Sequence, residues 1–168
     1  MVYVVKENHS LKKFIIILVA LSALVLGMGV KHLFKRDFTT LDGQAYQWAD
    51  KQGKWTAVNY FAEWCAPCLR EIPELNHFYM QDNPSIRLFA VSFDKLSDDQ
   101  LAELKQRYAI QFPLINDVNS LPWQQPPSSL PTTYILDPNG VLIKQIKGEV
   151  SGEKLEKQIE RLKHITQR

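Results

Sequence analysis

Residues 14–30 form an apolar run without a charged side chain, flanked by Lys12 and Lys13 on one side and by Lys31, Lys35 and Arg36 on the other. As a helix, these 17 residues would span about 25 Å, the short end of what a bilayer core requires. A buried core helix would carry a polar face, and this segment has none. A retained membrane anchor and a cleaved secretory signal are the two readings that fit. A signal normally has a shorter apolar run and ends in a small-x-small site, for which Gly27-Met28-Gly29 is a poor substitute. The pattern therefore favours an anchor over residues 14–30, with a tail over 1–13, a linker over 31–37 and one domain over 38–168.

Past residue 50 the apolar period changes. Residues 55–61 (Trp-Thr-Ala-Val-Asn-Tyr-Phe) are rich in β-branched and aromatic types and suit a buried central strand. From Ala66 the pattern turns helical, with Leu69, Ile72, Leu75 and Tyr79 at steps of three and four. A second strand is predicted over 86–93. Ser97 and Gln100 form a capping box, and Leu96 is placed to staple onto Leu101, opening a helix to about Tyr108. Residues 113–115 fit a short strand, and 117–130 a loop carrying Pro122, Pro126 and Pro127. Residues 132–137 and 141–147 predict a hairpin around Asp137-Pro138-Asn139-Gly140. Ser151 caps a last helix with Leu155, Ile159 and Leu162 on one face.

The chemistry lies in Trp64-Cys65-Ala66-Pro67-Cys68, which holds both cysteines of the chain. A structural disulfide gains most from closing a long loop, and this spacing closes almost none. A structural zinc needs four ligands, and there is no second cysteine pair or close histidine pair. A redox pair fits better. Cys65 lies where a strand hands over to a helix, whose free N–H groups and positive dipole end favour a thiolate. Cys65 is thus the expected nucleophile, and Cys68, one turn further in, the more buried resolving thiol.

The net charge of +2 misleads if spread over the whole chain. Residues 1–36 hold six Lys/Arg and one acid, leaving 14 basic and 17 acidic groups for the rest. The domain is slightly acidic, which gives no basis for nucleic-acid binding.

Several segments together resemble the membrane-anchored, thioredoxin-like disulfide reductases of the TlpA-like family: Leu41-Asp42-Gly43, Gly53-Lys54-Trp55, the stretch 62–75 around the cysteines, and 130–140 (Leu-Pro-Thr-Thr-Tyr-Ile-Leu-Asp-Pro-Asn-Gly). The resemblance covers roughly residues 38–165. It implies an α/β thioredoxin fold with an extra N-terminal β-hairpin over 38–48, preceded by one transmembrane helix. The implied activity is extracytoplasmic thiol–disulfide exchange through Cys65 and Cys68, reducing partner proteins, with apocytochrome c a candidate substrate. Its partners would be protein thiols and disulfides and an upstream membrane electron donor; no cofactor or metal is implied. Three basic residues on each side of the apolar run leave orientation open by charge. The chemistry favours the oxidising side of a bacterial cytoplasmic membrane, with the tail in the cytoplasm.

The resemblance also implies site residues. Pro131 would follow a cis bond, pack opposite the cysteines and turn the Leu130 backbone toward a substrate strand. Trp64 and Pro67 would support the cysteine pair. Glu71 matches an acidic residue that tunes the thiols, the rival reading being a solvated helix glutamate. Asn59 stands where cytoplasmic thioredoxins carry a buried aspartate. Glu63 and His77 fit plain surface positions, and His9, His32 and His164 join no constellation. The 117–130 loop departs from the family pattern, leaving Trp123 as either a rim or a core residue. Three other functions compete: a disulfide-forming oxidase, a thiol peroxidase and a copper-binding module. The peroxidase pattern places a proline and a threonine where this chain has Val58 and Ala62, so its peroxide-polarising hydroxyl is missing. The copper modules use a wider cysteine spacing and a distal histidine.

Overall fold

The computed structural model describes residues 15–19, 22 and 36–166. The chain divides into two units, Met1–Lys35 and Arg36–Arg168. In the first, residues 15–19 are helical, and the side chains of Ile15, Ile16, Ile17, Leu18 and Val19 are each more than half exposed. Among the described residues no helix is long and apolar enough to cross a membrane. Apart from Ser22, the rest of the expected 14–30 anchor, the 1–13 tail and most of the linker lie outside the described residues.

The second unit is built on one seven-stranded sheet. Its strands are β1 (Phe38–Thr40), β2 (Ala45–Tyr46), β3 (Trp55–Phe61), β4 (Ile86–Ser92), β5 (Leu114–Val118), β6 (Thr132–Leu136) and β7 (Leu142–Lys147). Its helices are α1 (Ala66–Met80), α2 (Asp98–Arg107) and α3 (Gly152–Thr166). The strand order is β2-β1-β5-β4-β3-β6-β7. β3, β4 and β5 run parallel, as crossover helices require, while β6 and β7 form an antiparallel hairpin against β3. This is the expected thioredoxin-like α/β arrangement, with β1 and β2 forming a short N-terminal hairpin.

The period of two sorts the core into two faces. Trp55, Ala57 and Phe61 of β3 join Ile86, Leu88 and Ala90 of β4 in a cluster that also takes both cysteines and the buried apolar side chains of all three helices. Val58 and Tyr60 turn the other way. They meet Phe38, Trp48, Phe89, Trp123 and Tyr134 in a second, largely aromatic cluster that contains no helical residue. There Trp123 stacks on Tyr134 at 4.6 Å between centroids and donates its indole N–H to the Tyr60 hydroxyl at 3.1 Å. Trp123 is therefore a core residue, 6% exposed, and its rim reading is corrected. Irregular chain covers this face, so large rings do the filling that a helix would otherwise do.

One boundary and one helix face differ from the sequence pattern. β5 extends to Val118 because β1 pairs along it, with Phe38 opposite Val118 and Thr39 opposite Asp117. The loop therefore begins after residue 118, not at 117. On α1 the inner face is Cys68, Glu71, Ile72, Leu75, Asn76 and Phe78, and Tyr79 is exposed. Phe78 takes the inner place because α3 crosses there: a Cβ built on Gly152 would lie 2.7 Å from Phe78 Cβ. The capping box of α2 forms as expected, with Gln100 N–H donating to Ser97 Oγ at 3.3 Å and Ser97 N–H to Gln100 Oε1 at 2.9 Å.

Candidate active site

The buried strand β3 ends at Phe61, and a turn closed by Cys65 N–H to Ala62 C=O at 3.1 Å starts α1. Cys65 is the N-cap of that helix, and its Sγ accepts the Cys68 backbone N–H at 3.3 Å. Pro67 falls in the first turn, where a missing N–H costs nothing. No acidic residue sits in that turn to oppose the helix dipole. Cys65 and Cys68 are joined as a disulfide with Cα atoms 5.3 Å apart. Cys65 is 5% exposed and Cys68 fully buried, so of the two sulfurs Cys65 is nearer solvent. Trp64 stands out from the surface at 66% exposure. Its indole N–H donates to Asp94 Oδ2 at 2.9 Å, and its ring meets Phe93 edge to face.

The Leu130–Pro131 peptide is cis, and Pro131 is buried. Leu130 is half-buried and packs against the cluster that contains both cysteines. The Pro131 carbonyl accepts the Gly148 N–H at 2.9 Å, tying this turn to the segment between β7 and α3.

Glu71 is buried, 3% exposed, one turn after Cys68 on the same helix. Its Oε2 accepts the Val150 N–H at 2.9 Å and its Oε1 the Asn59 amide at 2.8 Å. Burial pushes its carboxyl up to about 7, and the two donors only partly offset that. Asn59 also donates to Thr133 Oγ1 at 3.1 Å. The solvated-glutamate reading is thereby removed. By contrast, Glu63 is exposed, pairing with Arg107 and accepting the Tyr108 hydroxyl at 3.2 Å, and His77 is exposed beside Gln81. His164 is exposed too, while His9 and His32 lie outside the described residues.

Three partners escaped the sequence. Thr133 carried no signal, since its place opposite Asn59 is set by the antiparallel register of β3 and β6. The Val150 amide carried none, being a backbone group in a loop. Asp94 looked like any surface acid.

A cysteine pair at the N-terminus of the helix after a central strand, on a thioredoxin-like sheet with a cis-proline turn, defines a thiol–disulfide oxidoreductase. Residues 32–145 match the AhpC/TSA family, and the chain belongs to that family. It is 31% identical over 129 residues to the thiol-disulfide oxidoreductase ResA of Geobacillus kaustophilus, covering 74% of this chain and 72% of that one. The ResA of Bacillus thuringiensis subsp. konkukian is 27% identical and aligns over 96% of this chain and 99% of its own. Among solved structures, StoA from Bacillus subtilis shares the fold at a TM-score of 0.57 and 21% identity, covering 72% of this chain and 92% of that one. A thiol:disulfide interchange protein from Chlorobium tepidum does so at 0.60 and 21%, covering 75% and 92%.

Proposed function

We propose that this protein is a membrane-tethered, extracytoplasmic reductase of protein disulfides, with apocytochrome c among its candidate substrates. The observation that carries the proposal is Cys65 as N-cap of α1, its sulfur on the Cys68 N–H and no acid in the first turn. In the dithiol state that environment favours a thiolate at Cys65. The thiolate attacks one sulfur of a substrate disulfide, forming a Cys65 mixed disulfide and releasing the first substrate thiolate. Cys68 then gives its proton to the Glu71 carboxylate and attacks Cys65 Sγ. The second substrate thiolate leaves, and the Cys65–Cys68 disulfide forms. Two electrons pass to the substrate, and an upstream dithiol donor in the membrane restores the pair. The Leu130 backbone beside Pro131 offers main-chain hydrogen bonds to the incoming segment, which suits substrates of unrelated sequence.

The reducing direction is supported by the Ala66-Pro67 dipeptide, close to the thioredoxin type. The tether is supported by the uncharged run 14–30, by the exposed apolar side chains of residues 15–19, and by a relative that aligns through this segment. The test is to fractionate full-length protein and equilibrate it with glutathione buffers. The protein is expected in membranes with its N-terminus intact. Its potential is expected near about −270 mV, as for thioredoxin, rather than about −120 mV, as for a strong oxidant. A soluble form starting near residue 30 contradicts the tether, and the higher potential contradicts the direction.

A further inference from the structure

We propose that Asn59 is a positioning residue for the exchange reaction, its amide holding the Glu71 carboxylate to Thr133 on β6 so that the proton acceptor and the strand after Pro131 move as one unit. The inference rests on the reading of Glu71 as acceptor of the Cys68 proton. The geometry is direct. Asn59 and Thr133 are paired across β3 and β6, on the sheet face that α1 covers. The Asn59 amide nitrogen lies 2.8 Å from Glu71 Oε1 and 3.1 Å from Thr133 Oγ1. All three residues are buried. With a carboxylate at that distance, only the N–H₂ end of the amide can face Glu71; the oxygen would meet an oxygen. Both amide hydrogens are then committed, one to each neighbour.

The same network reaches the proline turn from the other side. Val150 N–H holds Glu71 Oε2, and two residues earlier Gly148 N–H holds the Pro131 carbonyl. Glu71 is thus clamped between the strand that follows Pro131 and the segment that holds Pro131. An aspartate at 59 would place a second carboxyl against Glu71, and the pair would share a proton. An asparagine donates without titrating and leaves Glu71 as the single acid–base group of the cluster. The charges acting on Glu71 are Glu149, on the loop before α3, and Lys154 on α3; Cys68 lies on its own helix, while Asn59 and Thr133 carry no charge.

The test uses full-length protein with carboxyl-labelled glutamate, following the Glu71 titration by NMR and the pH profile of disulfide reduction. Asn59→Leu removes the donor and leaves a buried oxygen without its hydrogen bond. It is expected to move the Glu71 titration and the kinetic inflection upward together, by about one pH unit or more. Thr133→Val should move both the same way by less, and Thr133→Ser should restore them. In a Glu71→Gln background, Asn59→Leu should not change the pH profile further. If Glu71→Gln abolishes the inflection but Asn59→Leu leaves it at the wild-type position, the role of Asn59 is overturned while that of Glu71 stands. If Glu71→Gln keeps the inflection, the underlying reading fails and the proposal with it. Should Asn59→Leu not fold, Thr133→Val decides alone: unmoved titration and inflection overturn the link.

Discussion

Glu71 is a carboxyl that the fold makes harder to ionise. Burial pushes it up to about 7. In the unfolded chain a glutamate ionises near about 4.3. Between those values the folded state binds the extra proton, so stability is highest below the lower value and falls as pH rises. The loss amounts to about 3–4 kcal/mol once pH exceeds the folded value. Urea unfolding at about pH 5 and about pH 8 should show wild-type stability falling by that order relative to Glu71→Gln. Parallel behaviour of the two proteins would mean that Glu71 is ionised in the fold. The spacing of Glu71 from Cys68 was legible in the sequence. Its burial was not, because a glutamate among apolar helix positions gains its donors only when β3 and the segment after β7 close over it.

At the scale of elements, α1 and α3 cross closely at Phe78 and Gly152. Gly152 opens α3 with no room for a side chain, a built Cβ lying 2.7 Å from Phe78 Cβ and 3.3 Å from its ring. Phe78 Cβ is fixed to the helix backbone and cannot swing aside. Gly152→Ala would gain up to about 1 kcal/mol in helix propensity against an overpacking cost of about 1–3 kcal/mol. The expected outcome is a lower denaturation midpoint with an unchanged slope; a raised midpoint would mean the helices part at no cost. The elements themselves were readable. The capping box at Ser97, the Asp137–Gly140 turn and the buried run of β3 are local signals, and each forms where the pattern puts it. The misses were non-local. β5 lengthens only because β1 lies beside it, and Phe78 displaces Tyr79 only because α3 crosses there. Neither strand partner nor helix crossing is written in the residues concerned.

At the scale of the whole molecule, the unit Arg36–Arg168 carries its own core and both cysteines. The sheet divides the labour. One face holds three helices, the cysteine pair and the Glu71 cluster, and the other is an aromatic layer closed by Trp123. The cysteine motif and the proline turn made the fold and site legible from a short stretch of sequence. The aromatic layer was not legible, since the 117–130 segment shows no period and its tryptophan is placed by Tyr60 and Tyr134. The central claim is a division of roles between two sulfurs, one reached by substrate and one buried behind it. The direct measurement is mass-spectrometric mapping of mixed disulfides in cells producing Cys68→Ser or Cys65→Ser. Cys68→Ser should accumulate substrate proteins linked through Cys65, because the resolving thiol is gone, and Cys65→Ser should accumulate few. Substrates linked through Cys68 in the Cys65→Ser protein, at a yield matching the other variant, would contradict the account.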